Sequence, residues 1–131
     1  MKVLSAIDYN QRLRVSIQSS GRLSITSETV RCLGLAEGSK ILFGQDDNDP
    51  KLLYFIIPAD NERIDAFEVK SSSGNYYIQT RAMFDALGIS YNDQKNVKIF
   101  DLIRSEEVDA EAQGKAYLMK DREVSDDVEE R

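Results

Sequence analysis

The stretch "SGRLSITSETVRCLGL", Ser20 to Leu35, returns as "SGNYYIQTRAMFDALGI", Ser73 to Ile89, with the same Ser-Gly opening and the same Leu-Gly close. A recurrence of this length constrains the fold more than composition does, because a repeated unit has to be packed against its copy. Around the first copy, "LRVSIQ" alternates apolar and polar residues at period two, "SSG" supplies a turn, and "RLSIT" alternates again, so the segment is expected to be a β-hairpin. Thr26 is then placed to cap a helix over "SETVRCL", with Glu28 in its positive first turn, Val30 and Leu33 on one face, and Gly34 as its stop. At about seven residues such a helix depends on packing to hold it.

Two further strands follow, "KILFGQ" and "KLLYFII", joined by the turn-rich "DDNDP" and closed by Pro58. The second copy repeats the order. "AFEVKS", the turn "SSG" and "NYYIQT" lead to a helix "RAMFDAL" expected to be capped by Thr80, with Met83, Phe84 and Leu87 inward and Gly88 as the stop; "NVKIFDLI" and "KAYLMK" complete the half. The run "LLYFII" is apolar on both faces, which requires a central strand or a cover over its outer face. The expected fold is therefore α+β, mostly β and barrel-like, made of two ββαββ units sharing one core. Residues 1–60 form the first unit. Residues 61–120 form the second, with an acidic excursion at 105–112, and 121–131 form an acidic tail expected to be disordered. A lone unit of ~50 residues buries too little surface to be secure, whereas two intertwined units make one adequate core.

Composition removes several functions. The 131 residues include no histidine and a single cysteine, Cys32, so the commonest general base is missing and no His/Cys metal set of usual spacing can be assembled. Cys32 is read as a small core thiol inside the first helix. The pair Glu106 and Glu107 lies in a polar stretch where nothing would raise a carboxyl pKa, and no phosphate loop or nucleophile motif is present. No catalytic residue, metal or cofactor is expected, and the chain is read as a non-enzyme. No apolar run approaches the ~20 residues of a membrane helix, which with a single cysteine, unable to form an intramolecular disulfide, suggests a cytoplasmic protein.

The net charge of −6 is unevenly spread. "DREVSDDVEER" at the end carries −4 and "SEEVDAEA" another −4, which leaves +2 on the remainder, and Met1 to Lys40 alone carries +3. A mildly basic front and an acidic back are consistent either with a solvated tail or with a functional polarity.

The spacing of Gly21-Arg22, Ile25-Thr26, Arg31, Leu33-Gly34-Leu35 and Ala36-Glu37-Gly38 resembles the AbrB-type swapped-hairpin transcription regulators, over about Arg12 to Ile57. Thr26 stands where that family has proline. Two tandem units in one chain are similar to the MraZ regulators, without their strict Asp-x-x-Gly-Arg motif. The resemblance implies a homodimeric regulator that binds duplex DNA, with Arg22 and Arg31 on the DNA-facing side and Arg12 and Arg14 on the strand before them. In the second copy Asn75 occupies the place of Arg22. Guanidinium groups on a two-stranded ribbon can span guanine O6 and N7 or hold phosphates; the alternative for each arginine is a solvated side chain or an ion pair with Glu28 or Glu37.

From Lys40 onward the order of four strands and a helix also resembles the Whirly and transcriptional positive-cofactor proteins, which bind single strands. That resemblance would make Tyr77 a base-stacking ring, since Tyr76, Ile78 and Thr80 share one strand face and Tyr77 and Gln79 the other. The acidic C-terminus admits a third reading, an interaction module similar to MazE-type antitoxins, whose acidic segment wraps a protein partner.

Overall fold

The computed structural model describes residues 1, 3, 12–91 and 97–122. In chain order the elements are β1 (Arg14–Ile17), β2 (Leu23–Ile25), α1 (Ser27–Leu33), β3 (Lys40–Gln45), β4 (Leu53–Pro58), β5 (Phe67–Glu68), β6 (Lys70–Ser72), β7 (Asn75–Ile78) and α2 (Arg81–Ala86). They continue with β8 (Lys98–Arg104), a 3-10 turn (Glu106–Val108), α3 (Asp109–Ala112) and β9 (Gly114–Asp121).

All nine strands belong to one antiparallel sheet in the order β5-β3-β4-β9-β8-β1-β2-β7-β6. Its two ends, β5 and β6, are consecutive pieces of one extended path separated only by Val69. Glu68 pairs with Lys40 of β3, and Lys70 pairs with Tyr77 of β7. Val69 between them is fully buried, and both its N–H and its carbonyl bond to the 38–39 loop. The sheet thus curls into a nearly closed barrel in which the β5–β6 path is one stave, so "AFEVKS" is a strand that changes neighbours halfway along.

Each hairpin finds its other neighbours across the chain. The β1–β2 ribbon is flanked by β8 and β7, and the β3–β4 ribbon by β5 and β9. Alternation sends one set of side chains inward on every strand. Val15, Ile17, Leu23, Ile41, Phe55, Ile78 and Phe84 are fully buried in a single core cluster. Phe43 meets Phe55, Phe67 and Phe84 edge-on at centroid distances of 5.8, 5.3 and 6.5 Å, a geometry that suits the ring quadrupoles. The doubly apolar run becomes β4, central in the sheet, and its outward Ile56 is covered as well, with only 6% exposed.

The two helices end alike and begin differently. Thr26 caps α1 as expected, its hydroxyl oxygen accepting the Thr29 N–H at 3.2 Å. The fully buried Thr29 hydroxyl oxygen in turn accepts the Arg14 N–H at 2.7 Å and ties α1 to β1. Thr80 makes no such cap on α2; its hydroxyl donates to the Gly21 carbonyl at 3.0 Å, a contact 59 residues distant in sequence. At the far ends Leu35 N–H bonds Val30 O and Ile89 N–H bonds Phe84 O, each past a left-handed glycine, Gly34 and Gly88. Phe84 is buried and Met83 half-buried, whereas Leu87, expected inward, is 39% exposed. Among the described residues no helix is long and apolar enough to cross a membrane.

Candidate nucleic-acid interface

The β1–β2 ribbon turns at Gly21, whose φ of +89° and crowded surroundings both call for glycine. A Cβ there would stand 2.7 Å from Cγ of Arg81 and 2.9 Å from the Tyr91 hydroxyl. The turn therefore rests on the second helix, α2, with Arg81 against the glycine that precedes Arg22. The Tyr91 hydroxyl donates to Asp85, which also lies 3.8 Å from Arg81 in an i,i+4 pair. The bond to Asp85, followed by burial, raises the Tyr91 pKa and keeps its proton in place.

Arg22 lies on the outside of the barrel with its guanidinium 4.2 Å from the centre of the Tyr77 ring. Tyr77 shares that outer face with its cross-strand partners Ser24 and Lys70. Such a stack at an exposed site is worth roughly 0.5–1 kcal/mol. That is enough to bias the orientation of Arg22 and too little to hold it against a stronger partner. Among the described residues no carboxylate lies within ion-pair distance of Arg22.

The four arginines do not form one cluster. Arg14 also faces outward, but at the opposite end of the ribbon from Arg22, four residues back from Gln18, whose N–H bonds the Arg22 carbonyl. It lies 4.0 Å from Asp101, whose carboxylate also accepts from Arg122 at 2.6 Å. One carboxylate between two guanidiniums leaves a local charge of +1, and the buried Arg14 Nε has no hydrogen-bond partner among the described residues. Arg12 is exposed just before β1, and Arg31 is exposed in the last turn of α1, where a cation suits the helix dipole. Neither Glu28 nor Glu37 pairs with any of the four among the described residues. Cys32, expected in the core, is half-buried on α1.

The Arg22 end thus gathers Tyr77 and Lys70, with Arg81 against the neighbouring Gly21; the sequence pointed to neither Arg81 nor Lys70. The membership of Lys70 follows from the β6–β7 register, which no local pattern reveals. No group of His, Cys, Asp and Glu able to hold a metal occurs among the described residues. Of the acidic tail expected at 121–131, Asp121 instead ends β9 opposite Phe100 and Arg122 bonds Asp101, while 123–131 lie outside the described residues. Comparison with protein-family models, curated proteins and solved structures finds no match to the chain.

Proposed function

We propose that this chain is a nucleic-acid-binding protein that engages duplex DNA through the outer face of its β1–β2 ribbon, in the manner of the swapped-hairpin regulators it resembles, and that its halves are diverged copies of one ββαββ unit. The observation that carries the reading is the Arg22 guanidinium, without an ion-pair partner among the described residues and held over Tyr77 on the outside of the barrel at a turn seated on the other half's helix. The crosswise flanking of each hairpin by strands from the other half supports the swapped-hairpin arrangement. One chain supplies all nine strands of the nearly closed barrel, so each copy of the expected homodimer carries this face.

A two-stranded ribbon fits a major groove about 12 Å wide, and a bidentate arginine contact to guanine is worth about 1–3 kcal/mol of discrimination. This exceeds the cation–π attraction that Arg22 would surrender, so Tyr77 orients the guanidinium without withholding it. Arg12, Arg31 and Lys70 then serve as phosphate contacts, and Arg14, shared with Asp101, contributes less. With about four phosphates neutralised, log affinity falls against log salt with a slope of about −3 to −4.

The test is duplex binding by fluorescence anisotropy at about 50 mM salt, in the range where phosphate contacts are strong. Arg22→Ala with Arg31→Ala is expected to lose at least about tenfold in affinity, some 1.4 kcal/mol. A double variant that keeps all duplex and single-strand binding overturns the proposal. The outward position of Tyr77 favours one second reading, single-strand binding by base stacking beside Arg22. In that case Tyr77→Ala weakens oligothymidine binding by about 1–3 kcal/mol and leaves duplex binding nearly unchanged.

A further inference from the structure

The acidic excursion finds no use at the Arg22 face; it folds as the 3-10 turn and α3 over the outside of β4 and β9. Between it and the β3–β4 turn lies a cavity of about 390 Å³, within the size range of small-ligand pockets. Its floor is the outward row of the sheet, Gly44, Tyr54, Ile56 and Ala116. Gly44 stands opposite Tyr54, and a Cβ added there would meet Ile56 Cδ1 at 3.1 Å and Tyr54 Cβ at 3.8 Å. Val108 and Ala112 close one wall. From Tyr54 the apolar row continues over Leu118 to Ile103, which is 42% exposed.

The rim is of one sign. Asp46, Asp47 and Glu111 line the cavity, and among the described residues no basic side chain pairs with any of them. Among the described residues Asp46 is engaged only by the N–H groups of its own turn, Asn48 and Asp49. Burial first, then the charges of Asp46, Glu107 and Glu111, raise the pKa of Tyr54, so the ring sits in a field that favours cations. In the stave order β4 is four places from β2 in either direction, so this groove lies across the barrel from Arg22.

We infer that the groove between α3 and the β3–β4 turn is a docking site for a basic peptide segment of a protein partner, which lays an arginine or lysine stem on Tyr54 and places its charge among Asp46, Asp47 and Glu111. Long basic side chains bury their methylenes on apolar surface while keeping the charged head in polar surroundings, and a cation over a tyrosine face gains further attraction. An apolar floor with an acidic rim matches that side-chain type and disfavours nucleic acid, whose phosphates the rim repels. The site is independent of the nucleic-acid reading.

The test titrates the full chain, with its tyrosine rings isotope-labelled, with the capped peptide Ala-Arg-Leu-Arg-Ala and with the same peptide carrying citrulline for both arginines. The Tyr54 ring signals should move saturably with the arginine peptide and stay still with the citrulline one. Asp47→Asn with Glu111→Gln, two exposed changes that leave the core untouched, should weaken the peptide about tenfold. Absence of a saturable Tyr54 shift overturns the inference, as does equal affinity in the double variant. So does a response spread evenly over all tyrosines and abolished by deleting residues 123–131, which would mark diffuse attraction to the acidic chain.

Discussion

The wall of that groove is held by one carboxylate, which makes Asp109→Asn an informative perturbation. Asp109 accepts hydrogen bonds from Nη1 and Nη2 of Arg104, at 2.7 and 2.6 Å, and from the Ala116 N–H at 2.9 Å, pinning α3 to β8 and β9. The bond from Arg104, followed by that from Ala116, outweighs burial and holds the carboxyl at about 2 against its ordinary 3.8. At about 1.36 kcal/mol per pH unit this corresponds to about 2.4 kcal/mol. Both side chains are 31% exposed, so solvent screening lowers the expected loss to about 1–2 kcal/mol. Asparagine keeps the shape and one acceptor while removing the charge.

The sign of the pH dependence follows from a native pKa that lies below the unfolded one. The stabilisation is complete above pH ~5, declines as the unfolded chain's carboxyl takes up its proton near pH ~4, has shrunk to a small remainder by pH ~2 where the native carboxyl itself titrates, and is gone by pH ~1. Urea unfolding of both proteins between pH 7 and pH 2 should therefore give a wild-type advantage that is flat at first and then closes. An advantage below about 0.5 kcal/mol at pH 7, the scale of an ordinary surface change, or one that persists unchanged at pH 2, would refute the assignment of Asp109 as the pin.

Gly21→Ala and Gly74→Ala separate backbone strain from docking. Both glycines have positive φ, but only Gly21 is crowded, so we expect losses of about 2–3 and about 1 kcal/mol respectively in thermal or urea unfolding. Thr26→Ala, which removes the α1 cap, should cost about 1 kcal/mol. Phe84→Ala, which empties the contact with Phe43, should cost about 3–5 kcal/mol. Residues 1–60 and 61–131 expressed apart should each lack a cooperative unfolding transition and regain one when mixed, because β1, β2, β3 and β4 all take a neighbour from the second half.

What the sequence made legible was local. Alternation in "RLSIT", the Thr26 cap and the Gly34 stop depend on neighbours within a few residues, and each is found where expected. The strand order depends on contacts that no short window contains. Val69 reads as an ordinary apolar strand position, yet it is where the strand leaves β3 for β7. Thr80 has the form of a cap but bonds Gly21, and Leu87 has helix spacing but no wall to face. At the site, Arg22 and Tyr77 were visible as separate candidates for two different nucleic-acid readings; the β2–β7 register makes them neighbours. The polar, acidic stretch at 105–112 gave no hint that it would build one wall of a groove.

The position of β9 between β4 and β8 also sets an order of events during synthesis. Whatever forms early, the ribbon β3–β4 must wait with one edge of "LYFIIP" bare until residues 114–121 have left the ribosome. A bare apolar edge of that kind is an aggregation hazard. A ribosome stalled anywhere short of β9 would therefore present quality-control factors with a sticky strand rather than with a smaller folded domain.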